Sequence, residues 1–385
     1  MMLWQHYVFR RGAAVSDMWD HFFQDREMRL LYIGGRGFDP RAQMVLRKVV
    51  ETLQSSGTKI AAANQLLVGL GRYELDGNLK AMTEANALEL TRTFRPIGQT
   101  EELMMDARGE DGEEVSTSNA LRRGVSEILG RVAGCTDILL DVSSLPRVAY
   151  LAILTGLLQH LVPNKDVPDA LFAGGINFQV LVAEDAALDS AITSEDPSAE
   201  LVTIPGFSIA LYAESMKDWP MVWFPILGES RLGQLNMVMS AIPDGAEICP
   251  IVPHPSKSLR RAEELLTEYK SLLIDKLQVP VSNLLYVSES NPFETYRQLL
   301  SAMDRYRKSL RILGGCRLAV TPLSSKLVTL GAGLACFEMR LGSHDEDYGV
   351  AIPYAEPMRY LASKEVLTDT KAEIVSLLLT GLAYA

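Results

Sequence analysis

The stretch Arg317-Leu-Ala-Val-Thr-Pro-Leu-Ser-Ser-Lys-Leu-Val-Thr-Leu-Gly-Ala-Gly-Leu334 admits few folds. Leu318–Val320 is a short apolar run closed by a polar loop, the pattern of a strand buried on both faces. Thr321 to Lys326 supplies hydroxyls and one cation, and Gly331 and Gly333 let the helix that follows pack closely. A loop of this kind presents free backbone N–H groups and the positive end of a helix dipole, which suits a phosphate or a carboxylate.

The same order of elements recurs along the 385 residues. Leu30–Ile33 reads as a strand, Gly34–Arg41 as a loop and Ala42–Leu53 as an amphipathic helix. Gln65–Leu70 is a second strand and 80–95 a helix. Helix Asn119–Val132, strand Asp137–Val142, loop Ser143–Pro146, the long apolar helix Arg147–Leu161 and strand Phe178–Glu184 complete a first set. A second set opens with strand Val222–Ile226 and continues through strands Glu247–Val252 and Leu284–Val287, each followed by a helix. It ends with the stretch quoted above and with Val350–Pro353. Strands separated by helices, with near-continuous apolar strand runs, predict parallel sheets covered by helices on both faces.

The expected fold class is therefore α/β, as two tandem Rossmann-like domains with mostly parallel sheets. The boundaries read as an aromatic extension over 1–28, a first domain over 29–185, a connecting region over 186–220 and a second domain over 221–385. The two sets match most closely where Asp141-Val-Ser-Ser-Leu-Pro-Arg147 lies beside Val320-Thr-Pro-Leu-Ser-Ser-Lys326, a coarse internal duplication. The acids around Met105–Ser118 have the composition of a solvated loop, and their spacing fits no calcium loop.

A net charge of −11 argues against a surface that wraps long nucleic acid, while a local cluster of Arg and Lys still suits a small anionic ligand. The four cysteines form no CxxC and read as buried thiols in a reducing compartment. The most apolar run, Val148–Val162, is interrupted by Gln159 and His160 and falls short of the roughly 20 residues of a membrane span. The expectation is a cytoplasmic protein with no membrane segment.

In an open parallel sheet, ligands bind beyond the carboxyl ends of the strands. That fixes the candidate loops. Gly34, Gly35 and Gly37 permit close approach to a ligand, Asp39 suits a ribose or the turn itself, and Arg36 and Arg41 suit phosphate. At the same edge lie Ser143, Ser144 and Arg147 in the first half, and Ser230, Arg231, Thr321, Ser324, Ser325 and Lys326 in the second. Glu229, His254 and Glu289 are the candidates for acid–base chemistry. No HExxH, nucleophile elbow or Walker motif is present.

Two resemblances bear on these loops. Asp141–Arg147 and Thr321–Lys326 resemble the strand-four loop of CARF-type (CRISPR-associated Rossmann-fold) sensor domains, although the glycines of that family's usual turn are missing. The resemblance implies a nucleotide or cyclic oligonucleotide as ligand, a setting in prokaryotic anti-phage or CRISPR-linked defence, and a homodimer or protein partner that reads the signal. Gly35-Arg-Gly-Phe-Asp-Pro-Arg41 resembles the first motif of a group of S-adenosylmethionine-dependent methyltransferases, which implies S-adenosylmethionine at that loop and Glu74 or Asp76 on its ribose. A third reading is an adaptor subunit whose Rossmann-like halves bind no ligand.

Overall fold

The computed structural model describes the chain except for residues 1, 25, 72, 73, 106–114, 342–347, 364–366 and 368–370. Most of the acidic segment in Met105–Ser118 lies outside the described residues. The chain forms two compact units. Unit 1 comprises Leu3–Ser194 together with Arg359–Ala385, and unit 2 comprises Glu195–Met358.

In chain order the strands of unit 1 are β1 (Val8–Arg11), β2 (Glu27–Gly35), β3 (Lys59–Leu70), β4 (Gln99–Met105), β5 (Asp137–Asp141) and β6 (Asn177–Glu184). β7 (Thr193–Ser208) leads into unit 2, which continues with β8 (Met221–Ile226), β9 (Glu247–Ile248), β10 (Ile251–Pro253), β11 (Leu285–Val287), β12 (Cys316–Pro322) and β13 (Tyr348–Leu361). β14 (Glu373–Thr380) returns to unit 1.

The sheet of unit 1 runs β1-β14-β6-β5-β2-β3-β4, and that of unit 2 runs β11-β10-β8-β12-β13-β7, with β9 beside β8. β2 to β6 pair in parallel, as do β8 to β13. Counting only these parallel strands by appearance, with β9 and β10 together as the second, both units read 3-2-1-4-5 across the sheet. In each, the order reverses between the first strand and the fourth, β2 beside β5 and β8 beside β12. The expected α/β class with two mostly parallel sheets is what the chain adopts.

Three features depart from the sequence reading. The aromatic segment 1–28 belongs to the sheet of unit 1, because β1 pairs antiparallel with β14 and β14 antiparallel with β6. Trp4 donates from Nε1 to the Leu379 carbonyl at 3.0 Å, and Trp19 and Phe23 enter the core. The second unit therefore stops short of 385, since the apolar run of β14 finds both of its neighbours far away in sequence. β4 was not foreseen: its Gln-Thr-Glu-Glu-Leu-Met-Met lies at the edge of the sheet, buries only Leu103 and Met105 and offers no continuous apolar run. The strand expected over Glu247–Val252 is broken into β9 and β10 at Cys249 and Pro250, and Pro250 has no N–H for a ladder.

Within each unit the helix after the fourth strand is almost wholly buried, Arg147–Leu161 in unit 1 and Lys326–Leu341 in unit 2. Both owe this to small and apolar sequence interrupted only near the ends, by Gln159 and His160 in the first and by Glu338 and Arg340 in the second. A Cβ on Gly331 would lie 2.2 Å from the Pro292 carbonyl oxygen, so the close helix packing expected there is real. Among the described residues no helix is long and apolar enough to cross a membrane.

Candidate functional site

At the strand reversal of unit 1, the two candidate loops close on each other. Tyr32 on β2 donates its hydroxyl to Asp141 Oδ2 at 2.8 Å, and Asp141 Oδ1 accepts from the Ser143 backbone N–H at 2.9 Å. The Ser143 hydroxyl accepts from the Ala183 N–H at 2.8 Å. Ser144 donates to the Gly35 carbonyl at 3.0 Å. A Cβ on Gly35 would fall 2.6 Å from Ser144 Oγ, and one on Gly37 would fall 2.8 Å from the Ser144 carbonyl oxygen. Here the glycines make room for the neighbouring loop. Burial pushes the Asp141 carboxyl up to about 6, against the hydrogen bonds from Ser143 and Tyr32 and with a further upward contribution from Asp39.

The cations of this loop also have partners inside the protein. Arg41 is fully buried and donates to Asp39 at 2.6 Å and to Asp189 at 2.7 Å, with longer bonds of 3.5 Å to the carbonyls of Ala183 and Asp185. Arg36 pairs with Glu84 at 2.7 Å and with Glu102 at 3.0 Å. Gly34 is the penultimate residue of β2, and Arg147 opens the buried helix. The two acids considered for a ribose are likewise engaged. Asp76 caps the helix Gly77–Phe94 by accepting from the Leu79 N–H at 2.8 Å, and Glu74 pairs with Arg359 at 2.9 Å.

Unit 2 repeats this arrangement with different side chains. Trp223, opposite Ala319 in register, donates to the Thr321 hydroxyl two residues further along, at 2.9 Å. Tyr32, opposite Leu139, makes the same reach to Asp141. Gly228 takes the part of Gly37, since a Cβ there would lie 2.1 Å from the Leu323 carbonyl oxygen. On the fifth strand, Gln234 Nε2 donates to the Ala355 carbonyl at 2.7 Å, where Arg41 reaches Ala183 in unit 1. The residue after each of those alanines, Glu356 and Glu184, is a buried glutamate. Thr321 thus answers Asp141, and the sequence match that set Arg147 against Lys326 slides by one residue. Gln234 is itself buried, and its Oε1 has no hydrogen-bond partner among the described residues.

The loops at the carboxyl edge of unit 2 are tied by one guanidinium. Arg261 bonds Glu229 at 2.8 Å and also pairs with Glu289, a buried carboxylate that accepts from the Lys257 N–H at 3.1 Å. Burial pushes the Glu229 carboxyl up, but Arg261 outweighs that and holds it below the usual carboxylate range. Glu229 and Glu289 therefore read as arms of an ion network. His254 is exposed and meets Tyr286 edge-on, 5.9 Å between ring centres. Ser230 adopts a positive φ of 57° and donates its N–H to Glu268 at 2.8 Å, while the Arg231 N–H is taken by the Tyr269 hydroxyl at 3.2 Å. Ser325 caps the buried helix, accepting from the Val328 N–H at 3.5 Å, and Ser324 is buried beside it. Sequence reasoning missed Arg261, Gln234, Tyr269 and the Tyr32 and Trp223 anchors. Only the run Leu259-Arg-Arg261 just after a strand offered a signal.

Charge separates the two edges. Around the strand ends of unit 2 stand Arg231, Lys257, Arg260, Arg261 and Lys326 against Glu229, Glu268, Glu289 and Glu356. The described loops of unit 1 set Arg36, Arg41 and Arg147 against Asp39, Glu74, Asp76, Asp141, Glu184 and Asp185. Among the described residues no group of three His, Cys, Asp or Glu side chains is placed to hold a metal.

No family model matches the chain, and no curated protein does. Several solved structures align over most of its length. One, from Pseudomonas aeruginosa UCBPP-PA14, is a universal-stress-protein candidate with 11% identity over 88% of this chain and 95% of its own, at a TM-score of 0.22. A functionally unknown protein from Pseudomonas aeruginosa PAO1 shares 10% identity over 88% of this chain and 94% of its own, at 0.22. The cytoplasmic domain of a prokaryotic cation chloride cotransporter shares 11% over 89% of this chain and 98% of its own, also at 0.22. Likeness of this degree leaves function to be argued from the site.

Proposed function

We propose that the protein binds a small nucleotide-derived anion at the carboxyl edge of unit 2 and acts as a sensor or regulatory protein. The supporting observation is the opposite charge of two otherwise equivalent edges. At the β8–β12 reversal, cations outnumber carboxylates in a chain whose net charge is −11. At the β2–β5 reversal the carboxylates prevail, and Gly35, Gly37 and Ser144 are spent on each other. Phosphate recognition needs the first setting, in which Lys326 opens a buried helix and Arg231 precedes the helix Leu232–Met239. The resemblance to CARF-type domains names a cyclic oligoadenylate as the first ligand to try and anti-phage defence as the setting. Binding would favour one conformation of unit 2, which a partner or a second copy then reads.

Catalysis finds less support, because Glu229 and Glu289 are both held by Arg261. Closure of the unit 1 reversal supports a second role, in which unit 1 serves as a ligand-free scaffold as an adaptor would. The same closure, with Asp39 and Arg41 committed to each other, weakens the case for S-adenosylmethionine at Gly34–Arg41.

Calorimetric titration with AMP, a cyclic oligoadenylate and S-adenosylmethionine tests the reading. The expected result is nucleotide binding that Arg231→Ala with Lys326→Ala weakens by about tenfold or more, with Arg147→Ala close to wild type. Absence of nucleotide binding overturns the proposal. Binding of S-adenosylmethionine alone would turn it toward an enzyme.

A further inference from the structure

Outside both strand reversals, unit 1 has an open cavity of about 480 Å³ whose lining includes Val15, Ser16, Met44, Lys48, Glu51 and Ile374. It lies where the first turn of the helix Ala13–Phe23, the middle of the helix Arg41–Ser55 and the start of β14 meet. The volume is that of an ordinary small-molecule site.

Its walls are of two kinds. Val15, Met44, Ala372 and Ile374 form an apolar surface, and the Gly12 N–H holds the floor by donating to the Ile374 carbonyl at 2.8 Å. Around it stand both signs of charge. Lys48 is half-buried, yet its side chain makes no ion pair or hydrogen bond among the described residues, and the same is true of the side chains of Ser16 and Glu51. Glu373 is held on one side by Arg11 at 2.9 Å, and its Oε1 lies close against Gly12. Arg47 has a long pairing of 3.6 Å with Glu89.

A half-buried lysine without a partner loses hydration and gains nothing in return, so its position favours an anionic group from outside. An unengaged carboxylate one helical turn further on favours a cationic group. Apolar walls between the two favour a hydrocarbon body. We infer that this cavity binds a small zwitterion with an apolar side chain, a hydrophobic amino acid. Its carboxylate meets Lys48 and Ser16, its ammonium meets Glu51, and its side chain lies on Val15, Met44 and Ile374. This site does not depend on the nucleotide reading, since it shares no residue with the unit 2 edge.

The test is titration of the full chain with L-leucine and L-phenylalanine, followed by calorimetry or by chemical-shift changes. The single-charge analogues 4-methylpentanoate and 3-methylbutylamine run alongside. Saturable binding of an amino acid is expected, with each analogue weaker by about tenfold. Lys48→Met and Glu51→Gln should each weaken it by about fivefold or more while the circular dichroism spectrum is unchanged. Arg231→Ala with Lys326→Ala should leave it as it was. No saturation up to about 10 mM, or binding that ignores both Lys48→Met and Glu51→Gln, overturns the inference.

Discussion

The indole of Trp223 donates to the Thr321 hydroxyl at 2.9 Å, and the two residues hold the positions that Tyr32 and Asp141 hold in unit 1. In each unit an aromatic side chain from the first strand crosses to the fourth and ties the strand reversal below its loops. Both donors and both acceptors are buried, so each bond shields two polar groups that would otherwise lie unpaired. Trp223→Phe should therefore cost about 1–3 kcal/mol, with a small further loss from the shorter ring. Adding Thr321→Val should recover part of it, because both ends of the bond are then apolar. Urea unfolding of the two single variants and the double variant measures the coupling, and strict additivity would mean that the bond contributes nothing.

Asp141 gives the chain a definite pH dependence. Its carboxyl stands at about 6 in the folded protein and at 3.8 in an unstructured chain. The folded state thus holds this proton more tightly. The stability it contributes is complete below pH 3.8 and is lost as pH rises through about 6. Asp141→Asn has no such proton to lose. The variant should gain about 2–3 kcal/mol relative to wild type between acid pH and pH 7. Denaturant unfolding over that range decides the matter, and parallel stability curves would count against it.

Two glycines should respond oppositely to the same substitution. At Gly228 a Cβ would press on the Leu323 carbonyl oxygen, which is backbone and cannot swing aside. Gly228→Ala is expected to cost about 2–4 kcal/mol or to force the two loops apart. Gly77 opens the helix Gly77–Phe94, and a Cβ there meets nothing within 4 Å. Gly77→Ala should stabilise by about 0.5–1 kcal/mol by restricting the unfolded chain. Thermal unfolding of both variants gives the comparison.

Removing Arg261 should be more harmful than removing what it holds. Arg261→Met leaves Glu289 charged and 3% exposed, at a cost of about 3–5 kcal/mol. Arg261→Met with Glu289→Met replaces the buried pair by apolar side chains and should return most of that stability. Equal losses in the single and double variants would show that the network does not share its energy in this way.

The sequence made the alternation of elements legible, because β5, β6, β8 and β12 are short apolar runs that end in small polar loops. It could not reveal that Glu373–Thr380 lies between β6 and β1, since nothing in an apolar strand names its neighbours. Candidate loops were likewise readable as loops: glycines at 35 and 37 and serines at 143 and 144 mark close approach. What approaches them was not readable. Close approach to a ligand and close approach to another loop select the same small residues, and in unit 1 the glycine space is filled by Ser144. Arg261 escaped notice because its two carboxylates lie 32 and 28 residues away in the chain.

The return of β14 has a consequence for the order in which the molecule can be built. β1 leaves the ribosome before any of unit 2, yet the strand it pairs with follows the whole of that unit, and the Trp4 bond to Leu379 spans 375 residues. Unit 2 can close its sheet from one continuous stretch of chain during synthesis. The sheet of unit 1 must meanwhile hold β6 as an uncovered apolar edge until β14 emerges, a period in which a chaperone or a second nascent chain competes for that edge.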